Sequence, residues 1–150
     1  YSLMPTNLYG ENDNFDLKTS HVIPGLIAKM HQAKLENKSS VKLWGDGSPM
    51  REFMHVDDLA EAIIFSLNTK LSDTLYNVGS GQEVTIKELA NTIAQVTGYS
   101  GNVLWDIEKP NGTPRKLMDS TKFLNLGYKP KVDLFEGIKK TYEFYKTIEK

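Results

Sequence analysis

The sequence predicts an α/β fold. Short runs rich in β-branched and aromatic residues alternate with longer stretches whose apolar residues recur every three or four positions. Clusters of Gly, Pro, Asn and Asp separate them, and several of the longer stretches open on a capping residue. With 150 residues, 39% apolar and 10% aromatic, the chain has material for a real core and the size of one domain or a piece of a larger protein. A net charge of −1 supplies no field that would select nucleic acid or a membrane surface. The absence of cysteine rules out a disulfide framework, a thiolate metal site and a cysteine nucleophile within this chain, and fits a reducing compartment. No metal site is expected. No apolar run approaches the roughly 18 residues that span a bilayer, and no signal-peptide pattern opens the chain.

Tyr1–Met4 reads as the interior of a buried strand running into Pro5, which predicts a fragment or a processed product. PTNLYG (5–10) suits a strand-exit loop, where open α/β sheets place their ligands; an ordinary turn fits equally. Residues 11–20 are polar, with Phe15 as the one buried anchor. Ser20 is placed to cap a helix over about 22–35, whose stripe is Val22, Ile23, Leu26, Ile27, Met30 and Ala33. His21 then stands at that helix N-terminus, where it either exchanges a proton or simply caps. Lys29 and His31 fall on or near the polar face, and His31 reads as solvated.

VKLW (41–44) is a strand, GDGSP a tight turn needing positive φ, and REFMHV (51–56) a second strand. A turn presenting Trp44 and Arg51 together suits a planar or anionic ligand, since guanidinium offers a fixed fork of donors. A hairpin with a core Trp44 and a solvated Arg51 fits the same spacing. Asp57 caps a helix over about 58–68, and Asp57–Asp58 reads as dipole complementarity rather than a catalytic pair.

LYNV (75–78) is a strand leading into GSG. Val84 stands where a dinucleotide fingerprint needs its third glycine, so this is a strand-to-helix turn. Thr85 and Glu88 form a capping box for a helix over about 86–97, with Gly98 just beyond its end. NVLWD (102–106) is a strand. KPNGTPRK (109–116) is a cation-bearing loop, either facing an anion or solvated. Asp119 caps a short helix ending at Gly127, and Asp133 with Glu136 opens a last helix over about 134–147. Tyr142 and Lys146 repeat the YxxxK spacing of short-chain dehydrogenases, but Tyr142 continues the stripe Leu134, Ile138, Tyr145, so the match reads as coincidence.

Together, PTNLYGENDNF, SHVIPGL, WGDGSPMREFMHVDD, YNVGSG, TIKELA and KPNGTPRKLMD stand in the order and spacing of one family. Over essentially its whole length the chain resembles the GDP-L-fucose synthase branch of the extended short-chain dehydrogenase/reductases. VDDLAEAI and YNVGSG support the superfamily, SPMREFMHVDD and SHVIP with KPNGTPRK the branch. The resemblance implies the C-terminal half of an NADPH-dependent enzyme that converts GDP-4-keto-6-deoxy-D-mannose to GDP-L-fucose by 3,5-epimerisation and 4-keto reduction. Residues 1–10 would be the last strand and loop of the NADP-binding Rossmann domain, and 11–150 mainly the substrate-binding domain, with strand 75–78 returning to the Rossmann sheet. The glycine-rich loop and the Ser/Tyr/Lys and Cys catalytic groups would lie in the other half.

The resemblance also implies roles. Pro5, Thr6, Asn7 and Leu8 would follow the nicotinamide end of NADP(H), beside His21. His21 would be the acid/base partner in the epimerisations. Lys29, Trp44, Arg51 and Asn111 would bind the GDP-sugar. Lys29 replaces a usual arginine, which keeps the charge and loses the fork, and Asn111 stands where Asp is common. The full-length protein would be a cytoplasmic homodimer. Sibling enzymes of the GDP-colitose or GDP-heptose type, or a sugar-nucleotide-binding module inactive on its own, fit the same motifs.

Overall fold

The computed structural model describes residues 1–149. Its elements are β1 (Ser2–Pro5), β2 (Asn7–Tyr9), α1 (Val22–Leu35), β3 (Ser40–Trp44), β4 (Met50–His55), α2 (Val56–Asn68), β5 (Leu75–Val78), β6 (Glu83–Thr85), α3 (Ile86–Thr97), β7 (Asn102–Asp106), β8 (Arg115–Lys116), α4 (Thr121–Leu124) and α5 (Leu134–Ile148). The fold is α/β, as expected. No helix among the described residues is long and apolar enough to cross a membrane.

The chain changes sheets at Thr6. β1 runs parallel to β5, pairing Ser2 with Leu75 and Pro5 with Val78. One residue later β2 runs parallel to β4, pairing Asn7 with Phe53 and Tyr9 with His55. Thr6 N–H still donates to the Val78 carbonyl at 3.0 Å, while its hydroxyl and the Asn7 amide both donate to the Glu52 carbonyl, at 3.3 and 2.8 Å. β4 is the hub: its first half is flanked by antiparallel β6 and parallel β8, its second half by β2. β3 and β7 form a separate parallel pair, with Trp44 opposite Asp106.

Two apolar clusters follow from this division. One joins α1, α3 and α5 through Ile23, Ile27, Met30, Leu89, Ile93 and Ile138. The other joins β5, α2 and α4 through Tyr76, Val78, Ala62, Phe123 and Tyr128, with Leu3 of β1 packed against it. The side chain of Glu52 is buried, and its Oε1 accepts the Gly81 N–H at 2.7 Å. Gly79 packs against that carboxylate so closely that a Cβ would overlap it.

Several expectations are corrected in detail. Ser20 does not cap α1: His21 is the N-cap residue, and Ser20 Oγ packs against Gly25 instead. Asp57 does not cap α2 either. His55 does, its Nδ1 accepting the Asp57 N–H, so the helix starts two residues early. Asp58 is buried and accepts the N–H groups of Lys131 and Val132, which pins the segment before α5. α4 is a single turn ending at Leu124 rather than at Gly127, with Ser120 as its N-cap residue and Asp119 accepting the Thr121 N–H. His31 is not simply solvated, because its Nδ1 lies 3.0 Å from Tyr142 Oη. The Thr85–Glu88 capping box and the left-handed Gly98 are as read. Asp133 accepts the Glu136 N–H at α5.

The 45–49 turn has its positive φ at Gly45 (75°) and Gly47 (77°), yet it does not close a hairpin. β3 pairs with β7, and β4 with β2, β6 and β8, so the turn passes the chain from one sheet to another. Trp44 is 69% exposed, not core.

Candidate functional site

The crevice at the sheet switch holds a cleft of about 610 Å³. One wall is Thr6–Asp13, the other the start of α1, and Phe53 and Val56 of β4 and α2 close it. It brings together Thr6, Asn7, Leu8 and His21 of the expected residues; Pro5 ends β1 just before it. His21 is exposed and makes no side-chain cap bond, so its imidazole is not spent on α1. The side chains of Thr6 and Asn7 are spent on the Glu52 carbonyl. What these two offer the cleft is chiefly main chain, with Leu8 as apolar wall.

One corner of the cleft was not legible in the sequence. Glu11 reaches the buried imidazole of His55, with its Oε2 3.4 Å from Nε2. His55 Nδ1 accepts the Asp57 N–H at 3.2 Å, which leaves the ring proton on Nε2, an atom without a hydrogen-bond partner among the described residues. Lys140 of α5 lies 3.3 Å from Glu11 Oε1 and also pairs with Asp57. Burial pushes the His55 pKa down; Asp57 and Glu11 oppose this, and Lys140 adds to it. Glu11, His55 and Asp57 stand close enough to enclose a metal ion, but the Lys140 ammonium already bridges the two carboxylates.

A second cluster forms where the 45–51 and 109–116 segments meet. Asn111 Oδ1 accepts the Asp46 N–H at 2.8 Å, and a Cβ on Gly45 would strike that amide. Met50 N–H donates to the Pro114 carbonyl at 2.9 Å, which starts the β4–β8 pair. Arg51 is thereby set opposite Lys116, its guanidinium donating to its own Met50 carbonyl and lying beside Gly112. Lys109 Nζ sits 5.9 Å from the exposed Trp44 ring. The sequence shows Lys116 only as one cation of a loop; its register with Arg51 depends on β8, a strand two residues long. Lys29 stands apart from both clusters. Its Nζ donates to the Lys42 carbonyl at 2.6 Å, and burial holds its pKa below the usual lysine value. Tyr142 is buried among α1, α3 and α5, away from the cleft.

Residues 1–79 match the model of the NAD dependent epimerase/dehydratase family. The chain is 56% identical over 144 residues to the probable GDP-L-fucose synthase 1 of Oryza sativa subsp. japonica, covering 96% of this chain and 44% of that protein. It is 44% identical to the GDP-L-colitose synthase of Yersinia pseudotuberculosis, covering 95% of this chain and 46% of the other. Among solved structures, the GDP-L-fucose synthetase of Naegleria fowleri bound to NADP superimposes with a TM-score of 0.89 at 29% identity, covering 97% of this chain and 46% of that one. The chain therefore spans less than half the length of these relatives.

Proposed function

This chain belongs to the NAD dependent epimerase/dehydratase family, and from that premise we propose that it is the substrate-binding half of an NADP(H)-dependent epimerase-reductase making GDP-L-fucose from GDP-4-keto-6-deoxy-D-mannose. In this reading residues 1–10 and strand 75–78 belong to the cofactor layer, and the rest mainly to the substrate lobe. The observation that carries it is the pairing of Arg51 with Lys116 in the β4–β8 register. Neither cation is ion-paired with a carboxylate among the described residues. Two cations in register on adjacent strands can reach one anion together, and a diphosphate supplies that anion. The exposed Trp44 ring nearby offers a stacking face for the base, and Asn111 holds the turn that carries it.

The sugar then reaches the cleft beside His21. A 4-keto sugar acidifies the hydrogens on C3 and C5, and an imidazole within reach can take one or return it. His21 makes no cap bond, so its ring turns toward a sugar carbon without undoing α1. A nicotinamide cofactor supplies the hydride for the C4 ketone when bound. The main chain of Thr6–Leu8, fixed at the sheet switch, fits the nicotinamide end of that cofactor. The NADP-bound relative supports NADP(H) over NAD(H). With no cysteine, the chain suits a reducing, cytoplasmic setting, and the resemblance favours a homodimer for the full-length protein.

A sibling activity on a GDP-colitose or GDP-heptose precursor is the second reading, favoured by the identity to the colitose synthase. Calorimetric titration of the chain with GDP, UDP and dTDP tests the nucleotide assignment. GDP should bind at least tenfold tighter than either control, about 1.4 kcal/mol of discrimination. Equal affinities would refute it. By itself the chain should bind without turnover; NADPH-dependent reduction by residues 1–150 would show that the catalytic set is already present.

A further inference from the structure

We infer that Glu11 reads the sugar: its carboxylate accepts hydrogen bonds from hydroxyls of the hexosyl group in the cleft, and Lys140 is the residue that positions it. This rests on the GDP-sugar reading above.

Glu11 lines the same cleft as His21. Its side chain is 24% exposed, anchored on one side and open on the other. One oxygen is held by Lys140 Nζ at 3.3 Å; the other lies 3.4 Å from His55 Nε2 with no hydrogen bond between them. A carboxylate has about four acceptor sites, so with Lys140 on one of them others remain for a ligand. The anchor comes from another element, Lys140 of α5, so the ion pair restrains the carboxylate before a ligand arrives. Preorganised acceptors bind without the ordering cost that a free glutamate would bear.

The chemistry selects neutral donors. A cationic ligand would find Lys140 already bridging Glu11 and Asp57. An anionic group would meet two carboxylates. Hydroxyls donate to a compensated carboxylate with neither difficulty, and hydrogen bonds to a charged acceptor are the stronger kind. Because base and diphosphate are assigned to Trp44, Arg51 and Lys116, the hydroxyl-rich part left for the cleft is the hexose.

The test compares GDP-L-fucose with GDP on this chain by calorimetry. The wild-type chain should prefer GDP-L-fucose. Glu11→Ala should shrink that preference about tenfold and leave GDP affinity within about twofold, the scale of one hydrogen bond to a charged group. Lys140→Met should shrink it less and should also raise the titration midpoint of His55, followed by NMR in a chain with only three histidines. An unchanged preference in Glu11→Ala overturns the inference. So does a wild-type chain that binds GDP and GDP-L-fucose equally, although the GDP reading then survives. A wild-type chain that binds neither overturns both.

Discussion

Arg51 and Lys116 stand side by side in the parallel β4–β8 pair, two cations on neighbouring strands. If a diphosphate joins them, Arg51→Ala and Lys116→Ala should each weaken GDP binding about tenfold or more, and the loss should shrink as salt is raised. Arg51→Lys should recover only part of the affinity, because it restores charge without the planar fork. Calorimetry at two salt concentrations checks this; full affinity in both alanine variants would remove the diphosphate from this place.

His55 is buried and neutral at the start of α2, and burial holds its pKa below the ordinary histidine value. The unfolded chain therefore takes up a proton as pH falls through about 6.5 while the folded chain does not, so stability is fully present above that pH and declines below it. His55→Asn should keep a capping acceptor for the Asp57 N–H and flatten this part of the stability–pH curve. His55→Ala should flatten it too and lose about 1 kcal/mol at neutral pH with the cap. Urea unfolding between pH 5 and 8 distinguishes them, and an unaltered slope in His55→Asn would show that another group carries the dependence.

Gly137 lies inside α5, where alanine would normally help a helix by about 1 kcal/mol. Here a Cβ would overlap the hydroxyl of the buried Tyr9 and press on Val132. Gly137→Ala should therefore destabilise the chain by about 1–3 kcal/mol, the usual cost of overpacking. Paired with Tyr9→Phe, which removes that hydroxyl, most of the loss should return; denaturant midpoints of the single and double variants decide.

Tyr142 and Lys146 mimic a dehydrogenase pair, but Tyr142 Oη contacts His31 and the Thr97 carbonyl, and Lys146 pairs with Glu143. Tyr142→Phe should cost about 1 kcal/mol of stability through the lost hydrogen bond and leave GDP affinity unchanged. Weakened nucleotide binding in a well-folded variant would contradict this.

The long helices were legible because each carries its own information. α3 has its apolar stripe, its capping box and its glycine stop within one stretch, and all three appear where read. β2, β6 and β8 were not legible: each is two or three residues long and exists because β4 offers an edge. The turn at Gly45–Gly47 gave up its backbone conformation but not its connection, since what flanks it pairs with β7 and β2 rather than with itself. His21 could be placed from its position before a helix. Glu11 could not be matched with Lys140, nor Arg51 with Lys116, because those partners are far apart in sequence and meet only through packing.

Thr6 belongs to both layers at once, hydrogen-bonded to β5 through its main chain and to β4 through its side chain. The layers are thus bound like two pages to one spine. They cannot slide past each other without breaking one of its bonds. A hydroxyl lost at position 6 would therefore loosen the seam between the two sheets rather than a single wall of the cleft.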